Sequence, residues 1–151
     1  MARKNNKSDV KAKQAYKTYL EENDYQNVEI ISIPSDIKAQ KDGQTFYFEI
    51  KMTKQTETYF GAATLTEWVQ AFKTPDNFKF VIAKTDETED KFSFEEFTPL
   101  EFMEHSTIPP FKIYFNINLN GKTKKRKRRT AIQLTNDTMT LLTELHNKMR
   151  E

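Results

Sequence analysis

Asp36, twelve intervening residues and then Glu49-Ile50-Lys51 bring two carboxylates and an amine into one short stretch of chain. Carboxylates are hard oxygen donors for a divalent cation, and an amine beside them can position or deprotonate a water and neutralise charge developing at phosphorus. Such chemistry requires the three groups to meet. Asp42-Gly43 is the signal of a two-residue hairpin loop, which pairs Lys41 with Gln44 and, in the same register, Asp36 with Glu49. Residues unrelated to the chemistry support that register. Ile37 falls opposite Phe48 and Ala39 opposite Phe46, as in a half-buried hairpin. The apolar face is then Phe46, Phe48, Ile50 and Met52, and the polar face is Thr45, Tyr47, Glu49 and Lys51. The pairing predicts two carboxylates about 5 Å apart with Lys51 one pleat further on. Like charges directly opposed destabilise a sheet, and a divalent cation accounts for them. Two carboxylates, a backbone carbonyl and waters are a ligand set for Mg²⁺, and the chemistry implied is phosphodiester hydrolysis. The plainer alternative is a solvated strand face, since Glu-x-Lys alone carries little in a chain with 30% charged residues.

The elements that must position these groups follow from periodicity. Ala12, Ala15, Tyr16, Tyr19 and Leu20 recur at helical spacing after Ser8, a candidate N-cap. Val28 to Ile33 and Ile37 to Gln40 read as extended segments separated by Pro34, and Thr45 to Met52 forms the second arm of the hairpin. Thr64-Leu65-Thr66-Glu67 has capping-box spacing, and Leu65, Trp68, Val69 and Phe72 continue a helical stripe. Glu67 is therefore read as a cap and Trp68 as core. Phe78 to Lys84 is a buried strand and Phe92 to Phe97 a shorter one, followed by a capped helix from Pro99 through Met103. Phe111 to Leu119 alternates as a strand toward Asn120-Gly121, Ile132 and Leu134 alternate again, and a leucine-striped helix runs from Asn136 to Met149. This order predicts an α/β fold in which helices flank a mixed β-sheet, within a single domain over 1–151. Its core, 8–84, has the order αβββαβ, and 85–151 forms a small C-terminal α+β extension.

Composition narrows the function classes. The 13% aromatic content with 12 Phe argues for a packed domain despite a mean hydropathy of -0.81. The absence of Cys excludes disulfide scaffolds and thiolate metal sites, and His105 and His146 lack ligand spacing. With no apolar leader and no apolar run of about 20 residues, the expectation is a cytoplasmic protein without a membrane span. Charge is segregated: seven of the eight residues at 122–129 are basic, namely Lys122, Lys124, Lys125, Arg126, Lys127, Arg128 and Arg129. Without them the 22 acidic residues outnumber the remaining bases. A concentrated basic stripe beside an acidic body suits a polyanion partner such as DNA, and a solvated or localisation tract is the alternative.

The Asp36 and Glu49-Ile50-Lys51 pattern on a hairpin, preceded by a helix and followed by helix and strand, resembles the PD-(D/E)xK nuclease superfamily. Glu49-Ile50-Lys51 followed by Thr66-Glu67-Trp68 and a strand is also similar to the NO VEIN type C-terminal domains. The resemblance implies a restriction-endonuclease-like core and Mg²⁺-dependent cleavage of DNA, with Mn²⁺ substituting. Asp36, Glu49 and the Ile50 carbonyl would hold the metal, and Lys51 would be the catalytic lysine. Many members carry a further acid on the first helix. Here Gln14 stands in the matching stretch, and Gln70 on the second helix is a further supporting candidate. The expected function is a restriction- or defence-like endonuclease, acting on double-stranded DNA as a homodimer and needing no organic cofactor. The alternative is the same fold as a catalytically impaired module that binds DNA or a protein partner.

If the basic stripe grips phosphate, replacing its seven cations with Gln should weaken duplex binding in a gel shift. It should also flatten the dependence of affinity on salt. An unchanged salt slope would leave the stripe a solvated tract.

Overall fold

A computed structural model describes residues 7–107 and, beyond them, Leu119, Thr140, Thr143, Glu144 and Asn147. The chain divides into two compact units, Met1–His105 and Ser106–Glu151. In the first unit, helix α1 (Lys7–Glu22) precedes three strands, β1 (Gln26–Ile30), β2 (Ile37–Lys41) and β3 (Gln44–Thr53). Helix α2 (Leu65–Lys73) and a 3-10 turn at Pro75–Asn77 lead into β4 (Phe78–Thr85), β5 (Phe92–Phe97) and helix α3 (Pro99–Glu104). The expected order αβββαβ is the order found. The strand expected over 111–119, the basic stripe, the pair Ile132 and Leu134 and the leucine stripe of the last helix lie outside the described residues, although Leu119 itself is an exposed turn residue. Thr140, Thr143, Glu144 and Asn147, within the span expected for that helix, are helical.

Among the described residues one mixed sheet of five strands runs in the order β1-β2-β3-β4-β5. β3 and β4 are parallel, and the other neighbours are antiparallel. The β2–β3 turn has Asp42 at φ 51 and Gly43 at φ 74, the left-handed conformations that a tight hairpin needs from both central residues. It fixes the anticipated register, with Lys41 opposite Gln44, Ala39 opposite Phe46 and Ile37 opposite Phe48. β1 is shorter than the β-branched run suggested. It carries an irregularity between Gln26 and Glu29, where Asn27 adopts φ 49 and its amide donates to Gln40 Oε1 at 2.7 Å.

The hairpin is not half-buried. Its expected apolar face does pack under α1, where Tyr16 and Leu20 meet Ile37, Phe48, Ile50 and Val81. The other face is also covered. Tyr47 packs with Ala71, Phe78, Phe80 and Trp68 in a second cluster, and Glu49 is only 6% exposed. The cause is β4: a parallel neighbour requires a crossover, and the crossover carries α2 onto the face that hairpin reasoning leaves to solvent. Trp68 accordingly joins the core, 4.8 Å from Phe80 between ring centroids. On the α1 side Tyr16 sits 5.4 Å from Phe48, and its hydroxyl donates to Glu96 Oε1 at 2.5 Å. Burial, Glu96 and neighbouring tyrosines hold the Tyr16 phenol far above the usual tyrosine range.

Phe48 has no exposed surface and touches the aromatic rings of both Tyr16 and Tyr25. Phe48→Ala should lower unfolding free energy by about 3–5 kcal/mol in urea titrations. A cost below about 1 kcal/mol would mean that the sheet does not depend on this face.

Candidate functional site

The site begins where the β2–β3 ladder ends. Its last pair is Ile37 with Phe48, so Asp36 lies one residue outside the strand rather than within it opposite Glu49. The Asp36 amide donates to the Phe48 carbonyl at 3.1 Å, a contact displaced by one residue from the ladder. The Asp36 carbonyl accepts the Ile31 N–H at 2.8 Å, closing the 31–36 bend on itself. Asp36 Oδ2 accepts the Ile50 N–H at 2.9 Å, so a carboxylate takes the place of the strand carbonyl that would have continued the ladder. The side chain is thereby held beside β3 although the strand pairing has stopped.

β3 carries Glu49 and Lys51 on the face under α2. Lys51 Nζ lies 3.2 Å from Glu49 Oε1 and 2.9 Å from Glu67 Oε2. Glu67 is the residue that spacing from Thr64 assigns to a cap, and the cap forms: Glu67 Oε2 accepts the Thr64 N–H at 2.9 Å and Thr64 Oγ1 accepts the Glu67 N–H at 3.3 Å. One carboxylate oxygen therefore serves both the helix end and the lysine. Sequence spacing reveals the first role and not the second, because the Lys51 contact arises from the crossover.

The first helix supplies a lysine. Lys13 Nζ lies 2.7 Å from Asp36 Oδ1 and 2.9 Å from Asp9 Oδ2. Gln14 is exposed and Gln70 half-buried, and neither lines the cleft. The α1 acid that lines the cleft is Asp9, five residues before Gln14, and the i,i+4 spacing of Asp9 and Lys13 was its available signal.

These groups line an open cleft of about 570 Å³. It lies along the second half of β3, from Glu49 to Met52, where the pairing with β2 has ended. Its charged lining is four carboxylates, Asp9, Asp36, Glu49 and Glu67, and two ammonium groups, Lys13 and Lys51. Exposed Ile33 and Tyr59 stand at the same cleft. Burial, and then the charge of Asp36, push the Glu49 carboxyl up to about 8. Burial pulls the Lys51 ammonium down, but its hydrogen bond to Glu67 and the surrounding negative charge more than offset this, and it stays above the ordinary lysine value. Lys13 is raised for the same reason, with Asp36 and Asp9 outweighing its burial.

The donor chemistry fits Mg²⁺, which takes hard oxygens and needs only one or two carboxylates while keeping several waters. Among the described residues no three His, Cys, Asp or Glu side chains form a metal-holding group, and lysines are interleaved between the carboxylates. Among the described residues that line the cleft the carboxylates outnumber the ammonium groups, a negative excess that a divalent cation would offset. No helix among the described residues is long and apolar enough to cross a membrane. The seven cations of the basic stripe lie outside the described residues.

Residues 8–94 match the family described as Protein NO VEIN, C-terminal. No curated protein and no solved structure matches the chain. The matched segment contains every charged residue of the cleft, from Asp9 to Glu67.

Glu49 binds a proton more tightly folded, at about 8, than at its ordinary value of 4.5. Its contribution to stability is thus complete below 4.5 and is lost as pH rises through about 8. In EDTA, the unfolding midpoint should fall across this window, and Glu49→Gln should flatten the slope. Asp86, Glu89 and Glu101, held below their ordinary values by hydrogen bonds, titrate on the acid side of it. A midpoint that rises between pH 5 and 8 would contradict a protonated, buried Glu49.

Proposed function

The chain belongs to the NO VEIN C-terminal family, and we propose that it is a Mg²⁺-dependent endonuclease with a restriction-endonuclease-like core, hydrolysing phosphodiester bonds of double-stranded DNA. The observation that carries this reading is the meeting of Asp36, Glu49 and Lys51 in one cleft along the second half of β3. Asp36, Glu49 and the Ile50 carbonyl would hold the metal. Mg²⁺, when bound, supplies Lewis-acid polarisation of the scissile phosphate and makes a water more acidic. A divalent charge also relieves the repulsion that Asp36 and burial impose on Glu49.

The remaining work belongs to the side chains. Lys51, clamped by Glu67 and Glu49, retains its proton at neutral pH and so acts as a fixed positive charge rather than as a base. Its place is beside the phosphate, where it neutralises charge that develops during attack. Glu67 fixes the ammonium while remaining the cap of α2, so the lysine needs no reorganisation when substrate arrives. The Ile50 N–H aims the Asp36 carboxylate from the backbone. A homodimer would place two such clefts on the two strands of a duplex, with the basic stripe as the separate grip that an acidic body requires.

A second reading has its own observation. Lys13 occupies Asp36 Oδ1, and Lys51 is shared by two carboxylates, so the cleft is internally paired. The same fold would then bind DNA or a protein partner without cutting.

Plasmid cleavage with Mg²⁺, Mn²⁺ or EDTA separates the two. Metal-dependent nicking should vanish in Asp36→Ala and fall on the order of 10²–10³-fold in Lys51→Ala, with duplex binding retained. Intact supercoiled DNA under every condition, accompanied by a salt-dependent gel shift indifferent to Asp36→Ala, would establish the binding module instead.

A further inference from the structure

We propose that Lys13 is the resident counter-ion of the cleft, competing with a divalent cation for Asp36 and released onto Asp9 when that cation binds. The inference rests on the metal site proposed above and concerns what controls its affinity. Asp36 is held toward the cleft, because Oδ2 is engaged by the Ile50 N–H at 2.9 Å. Its other oxygen, Oδ1, is the one that Lys13 Nζ meets at 2.7 Å. A cation ligated at Oδ1 competes with the ammonium, since two positive charges so close to one oxygen repel each other.

Asp9 makes the exchange feasible. Its Oδ2 already lies 2.9 Å from the same Nζ, and the two residues are one helical turn apart on α1. Lys13 can therefore leave Asp36 without losing a partner. A lysine suits this role because its ammonium is a compact charge on a flexible stem. The Lys13 and Asp36 side chains are 21% and 15% exposed, so a hydrated ion and the moving ammonium both have access. Asp9 is 40% exposed, open enough to take the ammonium without burying a new charge pair. Lys51 is not equivalent. Its partners are Glu49, itself one of the proposed metal ligands, and the carboxylate that caps α2.

In this arrangement Lys13 is a positioning residue that tunes metal affinity. Its test reads metal binding rather than cleavage: Mn²⁺ titrated into the full chain without nucleic acid, with free Mn²⁺ followed by electron paramagnetic resonance and Mg²⁺ by calorimetry. Lys13→Met should bind Mn²⁺ about five- to tenfold more tightly, because the competing charge is gone. Lys13→Gln should move affinity in the same direction and guards against a packing defect in the first variant. Asp9→Asn should weaken binding several-fold in the wild type and have no effect in the Lys13→Met background, because Asp9 acts through the lysine. Unchanged or weaker binding in both Lys13 variants would overturn the proposal. So would an Asp9→Asn effect of equal size in both backgrounds, which would make Asp9 a simple source of negative potential. Wild-type binding that is absent, or insensitive to Asp36→Asn, would instead remove the metal site itself and this control with it.

Discussion

The hydrogen bond from the Ile50 N–H to the Asp36 carboxylate is the contact on which the arrangement of the cleft depends. A strand amide next to a finished ladder must find an acceptor, because a buried unpaired N–H costs free energy comparable to a lost hydrogen bond. Here the acceptor is a charged side chain. The backbone need of β3 is met, and a carboxylate is delivered to the neighbourhood of Glu49. Two consequences follow. The Glu49 carboxyl is forced toward its neutral form by burial and by Asp36, and two lysines are drawn in to balance the remaining charge. The ionic pattern of the cleft is thus the electrostatic outcome of a backbone requirement.

Helix α2 is tied to that pattern at its first turn. The oxygen of Glu67 that accepts the Thr64 N–H also accepts from Lys51, so helix termination and the placement of a cation in the cleft share one atom. A cap is ordinarily a local device worth about 0.5–2 kcal/mol. In this position it also orders the cleft, because a frayed first turn would loosen the lysine.

Much of this was legible in the sequence, for identifiable reasons. Asp42-Gly43 fixes a turn type, the turn type fixes the register, and the register predicts the pairing from Lys41 with Gln44 to Ile37 with Phe48. Capping boxes at Thr64 and Thr98 are likewise local, and both form as spaced. What the sequence conceals depends on distant contacts. The register says that Asp36 falls opposite Glu49, but the bend closed by Ile31 ends the ladder one residue earlier. Alternation assigns Glu49 to a solvated face, and only the parallel pairing with β4 places α2 over it. The Asp9 and Lys13 pair looks like an ordinary surface pair on a helix until Asp36 comes within reach of the lysine.

The chain between β3 and α2 is fastened at both ends. Lys54 pairs with Glu89 at 2.9 Å beside β4–β5, and Thr64 closes the cap. Between them run exposed residues including Phe60 at 95%. Closing a flexible loop grows costlier only slowly, by roughly 0.6 kcal/mol for each doubling of its length. Insertions and exchanges between the two fastenings therefore leave the carboxylates and lysines where they are. The charged groups of the cleft can be inherited unchanged while the stretch beside them, Tyr59 included, diversifies at small thermodynamic expense.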